Sequence, residues 1–324
     1  SGPRVSWIGH QIHAMSEERK VRVNIKDDFL EYLAADTKNI LARNTITYKD
    51  LKSYTGRVGH VANLMWVWRP FVDPLWAAIY TEGKPNKGSK APKGQIWVAQ
   101  VKQSVKWVRT LLQTPGNFVS RTWSLYAHTG SAAQLIIVFD ASPYGLGAVL
   151  YIRGIPVSFL ASALTRADEK RYKVSIGDHK AQQLWESLTI LVALRTWREH
   201  WVSRRISLGF KGDNVTALTM ILRMQAPAGN IKAVAKYIAM ELTRAVFKPR
   251  FAKHVSGLAN TVSDRLSREY EPGASGWCVP DELQGVPEAF PPSGTTPTTP
   301  YSTARVCRWA RRGSVDGCLR RVRL

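Results

Sequence analysis

Cysteine is scarce in this chain. Its 324 residues include only 3, Cys278, Cys307 and Cys318, all close to the C-terminal end. No pair has the C-x-x-C spacing typical of zinc sites, and the three do not suggest a disulfide framework. No apolar run is long enough to span a bilayer, and the N-terminal residues lack the charged and hydrophobic segments of a signal peptide. We therefore expect an intracellular protein, in the cytoplasm or the nucleus, with no membrane partner.

Acidic residues are also in short supply, since 24 Asp and Glu face 46 Lys and Arg, for a net charge of +22. Residues 271–324 hold only 7 basic and 5 acidic residues, so the excess charge lies mainly in the body of the chain. Hydrophobic residues make up 44%, which is enough for a real core and excludes general disorder. This combination predicts a polyanionic partner. A basic protein without a specific polyanion is the alternative that charge alone leaves open.

The residues of a polymerase active site are missing as well. Such a site needs a paired-Asp turn within an apolar hairpin, and the only Asp-Asp pair, Asp27 and Asp28, stands in a helix-start pattern. Gly145 and Gly147 are not followed by the Lys-Ser/Thr of a phosphate-binding loop, so a tight hairpin is the better interpretation. We expect no DNA synthesis by these residues alone.

Composition and periodicity divide the chain into four regions. The first two are a strand hairpin over residues 1–26 and a helical region over 27–132, with a Lys-rich linker at 82–95. Residues 133–269 predict the order βββ-α-β-α-α-β-α, which is a mixed sheet packed by helices. Residues 270–324 are rich in Pro and Arg without periodicity, so we expect a disordered tail. The start without Met, already in a strand-like pattern, indicates a piece of a longer protein.

Two acidic residues end predicted strands of the α/β region, Asp140 and Asp213. If those strands are neighbours, both carboxylates emerge at the same edge of the sheet. Glu186 lies on the inward stripe of a long helix, and Asp264 follows His254 by ten residues in the last helix. Four acids that converge in a basic protein repel one another unless metal ions hold them. The pattern predicts a two-metal phosphodiester hydrolase with two Mg²⁺ ions, or Mn²⁺ in their place.

Four motifs stand in the order FDASPYGLGAVL, WESLTILVALRTWREHW, GDNVTAL and HVSGLANTVSDRLSR. Together they resemble the ribonuclease H domain of retroelement reverse transcriptases. Upstream, WIGHQI is similar to the strand pair that ends the polymerase palm, and LKSYTGRVGHVANLMWVWRPFVDPLWAAI is similar to thumb or connection helices. The style is nearest to DIRS-like and related retrotransposons. The resemblance implies an α/β fold, a ribonuclease H-like mixed five-stranded sheet with flanking helices, preceded by a mainly helical thumb or connection region.

The resemblance also implies roles for individual residues. It assigns metal binding and catalysis to four acids, Asp140, Glu186, Asp213 and Asp264, and it places His254 where a mobile histidine assists water activation or product release. Contacts to nucleic acid are implied for Asn214, Asn260, Lys211 and Arg268. The implied substrate is an RNA:DNA hybrid whose RNA strand is cut. The implied partner is the upstream polymerase portion of the same polyprotein.

Structural roles compete with catalysis at each of these positions. A strand-end Asp often starts a turn, an Asp before a helix often caps it, and an Asp near arginines often forms a surface ion pair. Three further acids compete with Glu186: Glu169, Asp178 and Glu199. Glu186 is preferred because it alone combines the register of the family with the inward stripe. A catalytically inactive remnant that binds or tethers nucleic acid is the alternative function.

Overall fold

The computed structural model describes residues 4–80, 91–113, 119–124, 133–201, 206–226, 229–242 and 251–292. Most of the predicted linker, residues 82–90, and the end of the predicted tail, residues 293–324, lie outside the described residues. Within the described ranges, no helix has the length and hydrophobicity that crossing a membrane would require.

In its described residues, the N-terminal region combines a four-stranded sheet and a two-stranded sheet with four helices. Its elements are β1 (Arg4–Trp7), β2 (His10–Met15), β3 (Lys20–Ile25), α1 (Asp27–Ala42), β4 (Thr45–Thr47), α2 (Tyr48–Leu64), α3 (Arg69–Tyr80), β5 (Gln95–Trp97), α4 (Val98–Gln113) and β6 (Ser120–Ser124). Asp27 and Asp28 lie in the first turn of α1, where the helix-start pattern predicts them. The four helices are mainly held by apolar side chains that pack on one another, with Leu33 of α1, Leu51 of α2 and Leu75 of α3 fully buried.

The predicted hairpin of residues 1–26 is part of a larger sheet. Strands β1, β2 and β3 pair antiparallel in sequence order, and β6 adds a fourth antiparallel strand beside β3. The pairing Val21↔Trp123 joins residues about a hundred positions apart in the chain. The first strands and the end of the helical region therefore form one sheet.

The C-terminal region is built on a second sheet. Its elements are β7 (Ala133–Ala141), β8 (Gly145–Ile152), β9 (Ile155–Ala163), α5 (Arg166–Tyr172), α6 (Gln182–Thr196), β10 (Ile206–Gly212), α7 (Val215–Arg223), α8 (Gly229–Leu242), β11 (Phe251–His254) and α9 (Thr261–Ser267). The strand order is β11-β10-β7-β8-β9, with β7, β8 and β9 antiparallel and β10 and β11 parallel to β7. The prediction of a mixed five-stranded sheet with flanking helices is confirmed.

Helices α6 and α9 pack against the two central strands β7 and β8. Helix α6 is buried on all sides because it also contacts α7 and α8. Helix α9 lies very close to β8, since a Cβ at Gly147 would stand 2.4 Å from the carbonyl oxygen of Ser263 and 2.6 Å from the amide nitrogen of Ser267. Glycine at this position is what allows α9 to approach the sheet.

The segment after α9 is not a loose tail throughout. The prediction of disorder over 270–324 is wrong for residues 270–292, which the structure describes and of which 287–289 pair with Phe159 of the outer strand β9. Phe159 donates its amide to the carbonyl oxygen of Pro287 (3.2 Å) and accepts from the amide of Ala289 (2.7 Å). Leu283 is only 1% exposed within a cluster that includes Phe159 and Leu266. The segment therefore covers the edge strand of the sheet, an edge that would otherwise expose unpaired backbone groups.

The helical and α/β regions share one continuous hydrophobic core. Helix α3 contacts α8, and Arg69 donates a hydrogen bond (3.3 Å) to the carbonyl oxygen of Arg223 at the end of α7. Asp73 lies half-buried in this junction, where burial raises its pKa and the neighbouring Lys232 and Lys236 lower it. The two regions are thus packed together, although the boundaries between the four predicted regions stay predictions.

Candidate active site

Asp140 stands at the centre of the candidate site, near the end of β7. Its side chain is only 5% exposed, and its Oδ2 accepts a hydrogen bond from Ser267 Oγ at 2.9 Å. Ser267 is the last residue of α9, the helix that Gly147 allows to approach the sheet. The position of this carboxylate therefore depends on the contact between α9 and the sheet.

Asp213 follows β10 directly and lies beside Asp140. Because β10 runs parallel to β7 with Lys211 opposite Val138, the register extended by two residues brings Asp213 opposite Asp140. Its Oδ1 is buried without a hydrogen-bond partner among the described residues. Its Oδ2 lies 3.4 Å from the place that a Cβ would take at Gly257. The sheet edge predicted from the sequence thus carries both carboxylates.

Glu186 enters the site from α6 and is 3% exposed. Its Oε1 accepts hydrogen bonds from Asn214 Nδ2 (3.2 Å) and Gln182 Nε2 (3.4 Å), while its Oε2 is buried without a partner among the described residues. The competing acids are placed elsewhere. Glu169 accepts a hydrogen bond from the backbone amide of Ile176, Asp178 caps a short helical turn, and Glu199 is exposed.

Asp264 is partly exposed, unlike the buried Asp140 and Glu186. It lies in α9, and its Oδ1 accepts a hydrogen bond (2.8 Å) from Nε of Arg268, which also contacts Glu271. The surface ion pair that competes with a catalytic role is therefore present. Asp264 still acts on Asp140, because its charge contributes to the raised pKa of that residue.

The electrostatics of the site show that these acids interact. Burial, followed by the charge of Asp213, raises the pKa of Asp140 to about 7, while the hydrogen bond from Ser267 lowers it. Burial, followed by the charges of Asp213 and Asp140, raises the pKa of Glu186 to about 8. Each shift means that a second negative charge in the cluster is unfavourable unless a cation compensates for it.

The donor set suits a hard divalent cation. Mg²⁺ prefers carboxylate oxygens, and Glu186 Oε2 and Asp213 Oδ1 are buried oxygens that lack a hydrogen-bond donor among the described residues. In the described part of the chain, however, no three or more His, Cys, Asp or Glu side chains form a group that could hold a metal ion as they stand. Asp264 is in addition paired with Arg268. Metal binding by these four acids stays a prediction.

The remaining predicted site residues fall into two groups. His254 is exposed at the end of β11, opposite Gly212 in the parallel register, and Arg268 is exposed beside Asp264. The other group is engaged within the protein. Asn214 caps α7 by accepting from the amide of Ala217 (3.1 Å), in addition to its bond to Glu186.

Asn260 and Lys211 also belong to the second group. Asn260 is 3% exposed and donates from Nδ2 to the carbonyl oxygen of Phe139 (3.1 Å), directly before Asp140. Lys211 is half-buried in β10. A contact of these residues with nucleic acid is untested.

Three residues that support the acids were not predicted from the sequence. Gln182 donates hydrogen bonds to Glu186 and to the carbonyl oxygen of Ala141. Thr189 donates to the carbonyl oxygen of Asp140 (3.3 Å), and Ser267 donates to the carboxylate of Asp140. Only spacing gave a signal: Gln182 precedes Glu186 by one helical turn, and Ser267 follows Asp264 by three residues. Their partners on β7 are set by tertiary packing.

No protein-family model matches the chain, and no curated protein matches it. Among solved structures, the foamy viral protease-reverse transcriptase in complex with double-stranded DNA shares 14% identity at a TM-score of 0.28, covering 78% of this chain and 38% of that one. The complex of the viral protein with an RNA/DNA hybrid shares 13% identity at a TM-score of 0.27, and the match covers 79% of this chain and 29% of that one. RNase H1 from Halobacterium salinarum NRC-1 shares 17% identity at a TM-score of 0.30, and the match covers 42% of this chain and 96% of that one.

This chain thus spans less than half the length of the viral proteins it resembles. The C-terminal region has a ribonuclease H-like fold, given its antiparallel β7-β8-β9 meander, its parallel strands β10 and β11, and its flanking helices.

Proposed function

We propose that the chain is a metal-dependent endoribonuclease that cleaves the RNA strand of RNA:DNA hybrids. The observation that carries this proposal is the convergence of Asp140, Glu186 and Asp213 from three separate elements, with two of the three almost fully buried. Burying acids together is costly, and a protein with a net charge of +22 has many cations with which to neutralise them individually. A cluster left without such partners is suited to metal ions.

The acids of the cluster would hold two Mg²⁺ ions, or Mn²⁺ in their place. When bound, such ions lower the pKa of water and stabilise the negative charge that develops on a phosphodiester. Asp140 would be the central ligand, because it lies between the neighbouring strand that carries Asp213 and the helix that carries Asp264. Glu186 would complete the set from α6.

Neighbouring side chains that donate hydrogen bonds to the acids keep them oriented. Ser267 fixes one oxygen of Asp140, while Asn214 and Gln182 share one oxygen of Glu186 and leave the other free. In Glu186, the division into one held oxygen and one available oxygen is typical of a preorganised ligand.

The reaction is a hydrolysis in which water attacks phosphorus and the bond to the 3′ oxygen breaks. The products are a 5′-phosphate and a 3′-hydroxyl, and the 3′ oxygen takes up a proton as it leaves. His254, which is exposed at the end of β11 opposite Gly212, would assist the attacking water or the departure of product, as the resemblance implies. Basic side chains around the rim would contact the phosphate backbone.

The biological setting that we propose is reverse transcription by a retroelement, DIRS-like or related. The polymerase portion would then precede this region in the same polyprotein and act as its partner on the hybrid. The protein would work inside the cell, in the cytoplasm or the nucleus. The sequence motifs support this setting.

A catalytically inactive remnant that binds or tethers nucleic acid is the second candidate. It is favoured by the ion pair that occupies Asp264 and by the lack of a ready metal-binding group among the described residues. The two candidates differ in turnover: an intact site, in which Asp264 would serve as a metal ligand rather than as the partner of Arg268, cuts the hybrid, whereas a remnant binds without cutting.

The test is cleavage of a labelled RNA:DNA hybrid by the full chain, with and without Mg²⁺. We expect Mg²⁺-dependent cuts in the RNA strand, little cutting of single-stranded RNA or duplex DNA, and a loss of at least about a hundredfold in Asp140→Asn. Glu199→Gln is the matched control, because it removes an exposed carboxylate from the same region. If Asp140→Asn cuts as well as the unchanged chain, the nuclease assignment fails. Hybrid binding without cutting supports the remnant.

A further inference from the structure

The turn that joins β1 to β2 has a strained backbone. Its two central residues both have positive φ, which is 44° at Ile8 and 77° at Gly9. Glycine adopts this conformation freely, whereas it is costly for a β-branched residue such as isoleucine. The turn is also exposed to solvent, since the side chains of Trp7 and Ile8 are 63% and 69% exposed. A turn of this kind persists only where contacts with the rest of the protein hold it.

Two histidines make such contacts. His10 of β2 donates a hydrogen bond from Nδ1 to the carbonyl oxygen of Ile8 (2.9 Å), and its ring lies against the ring of His60 in α2, with 4.7 Å between the ring centroids. A Cβ at Gly9 would stand 3.1 Å from Nε2 of His60, so the lack of a side chain lets the turn approach α2 closely. Phe29 of α1 contacts the same ring edge to face, at 5.2 Å. His60 therefore connects the turn to two helices.

The groups around His60 disfavour a positive charge on its ring. The hairpin presents His10 and α1 presents the apolar Phe29, while Arg57, three residues earlier in α2, forms an ion pair with Asp36. Burial, followed by the charge of His10, lowers the pKa of His60 below its ordinary value of 6.5. Since the neutral ring is favoured while the contact is closed, the contact is fully stable above about pH 6.5 and loses stability as the pH falls below that value.

We propose that the contact between His10 and His60 is a pH-dependent switch, which holds the β1–β2 turn on α2 at neutral pH and releases it when both rings are protonated. Two imidazolium rings at this distance repel each other, and histidine is the side chain that gains its charge in this pH range. The switch would control the position of Trp7 and Ile8, whose exposed apolar side chains move with the turn. It needs neither a metal ion nor a nucleic acid, so it is independent of the proposed nuclease.

The experiment is amide hydrogen exchange of the full chain in EDTA at pH 7.5 and pH 5.5, followed by mass spectrometry and corrected for the intrinsic effect of pH on exchange. We expect the peptide that contains β1 and β2 to exchange about tenfold faster at pH 5.5. Global unfolding would change exchange in the opposite direction, because the raised pKa values of Asp140 and Glu186 favour the folded state at the lower pH. A local increase at the turn is therefore distinguishable from a loss of overall stability.

Three histidine variants assign the effect. His60→Gln and His10→Gln each remove one of the two charges, so in either variant the corrected rates at the two pH values should be equal. His13→Gln is the matched control in the same strand, because His13 is three residues from His10 and projects from the opposite face of the sheet, between Arg4 and Arg22. It should keep the tenfold difference. Circular dichroism checks the fold of each variant, and if His60→Gln is unfolded His10→Gln still decides.

Several outcomes would overturn the proposal. One is an unchanged chain whose β1–β2 peptide exchanges at the same corrected rate at both pH values. Another is a pH difference that persists in His60→Gln and His10→Gln, which would place the responsible group elsewhere. Loss of the difference in His13→Gln would likewise contradict the assignment to the pair. Each of these results leaves the proposed nuclease untouched, because the samples contain neither a divalent cation nor a nucleic acid.

Discussion

The metal-free protein should become more stable when Asp140 is replaced by Asn. In most proteins the loss of a buried polar side chain with a hydrogen bond is destabilising. Here the carboxylate lies against Asp213 and Glu186 with its pKa raised to about 7, so its charge opposes folding above that pH. Asparagine keeps an oxygen that can accept the hydrogen bond of Ser267 and carries no charge.

The size of the effect follows from the pKa. A rise from 3.8 to about 7 means that the charged form of Asp140 costs the folded state up to about 4 kcal/mol, at about 1.4 kcal/mol for each tenfold change in proton affinity. The largest part of this cost is desolvation of the buried carboxylate, and repulsion from Asp213 adds to it. Because an asparagine is still a buried polar group, we expect a gain of about 2 kcal/mol. For a carboxyl whose pKa is raised on folding, stability is fully present below pH 4 and is lost as the pH rises through about 7. The substitution Asp140→Asn should remove this loss of stability with rising pH.

The assay is urea unfolding in EDTA at pH 5 and pH 8.5, for the unchanged chain, Asp140→Asn and Glu199→Gln. At pH 5 Asp140 is protonated in the folded state but ionised in the unfolded chain, so about a third of the loss is already present and the first two proteins should differ less than at pH 8.5. At pH 8.5 Asp140→Asn should have the larger free energy of unfolding, while Glu199→Gln, which removes an exposed charge, should stay within about 0.5 kcal/mol of the unchanged chain. A variant that is less stable at pH 8.5, or a difference that is the same at both pH values, would refute the reasoning.

The fold of the C-terminal region could be predicted from the sequence because its signals are local. The apolar run that ends at Asp140 and the strand that ends at Asp213 both have the length and boundaries of buried strands. The addition of β6 to the first sheet has no such signal, because Trp123 pairs with Val21 across nearly the whole helical region. A strand pairing of that separation depends on how the helices between them pack.

In the candidate site too, local sequence signals differ from contacts that depend on tertiary packing. The role of the four acids stays a prediction, made because each stands within a recognisable motif. The structure brings Asp140, Glu186 and Asp213 into electrostatic contact. The hydrogen bond from the hydroxyl of Ser267 to Asp140 could not be predicted, because a serine at the end of a short helix gives no sign of its partner. The segment after residue 270 was misjudged for a related reason: few apolar residues, widely spaced among Pro and Gly, suffice when a formed sheet edge receives them.

Three further predictions concern the metal, the helix contact and the covered edge. Mg²⁺ should raise the melting temperature more at pH 8.5 than at pH 5.5, since protons compete for the acids; equal shifts would place the ion elsewhere. Gly147→Ala should cost about 2 kcal/mol in urea unfolding, because the methyl group meets the backbone of α9, whereas Gly59→Ala in α2, with nothing within 4 Å, should be neutral or stabilising. Ending the chain at residue 269 rather than 292 removes Leu283, which is 1% exposed, and the backbone partners of Phe159. The lost burial and the unpaired edge should together cost about 4 kcal/mol and speed amide exchange at Phe159, whose amide then faces solvent. Equal stability of the two chains would mean that residues 270–292 contribute nothing to the domain, and the edge of the sheet would have to be protected by β9 itself.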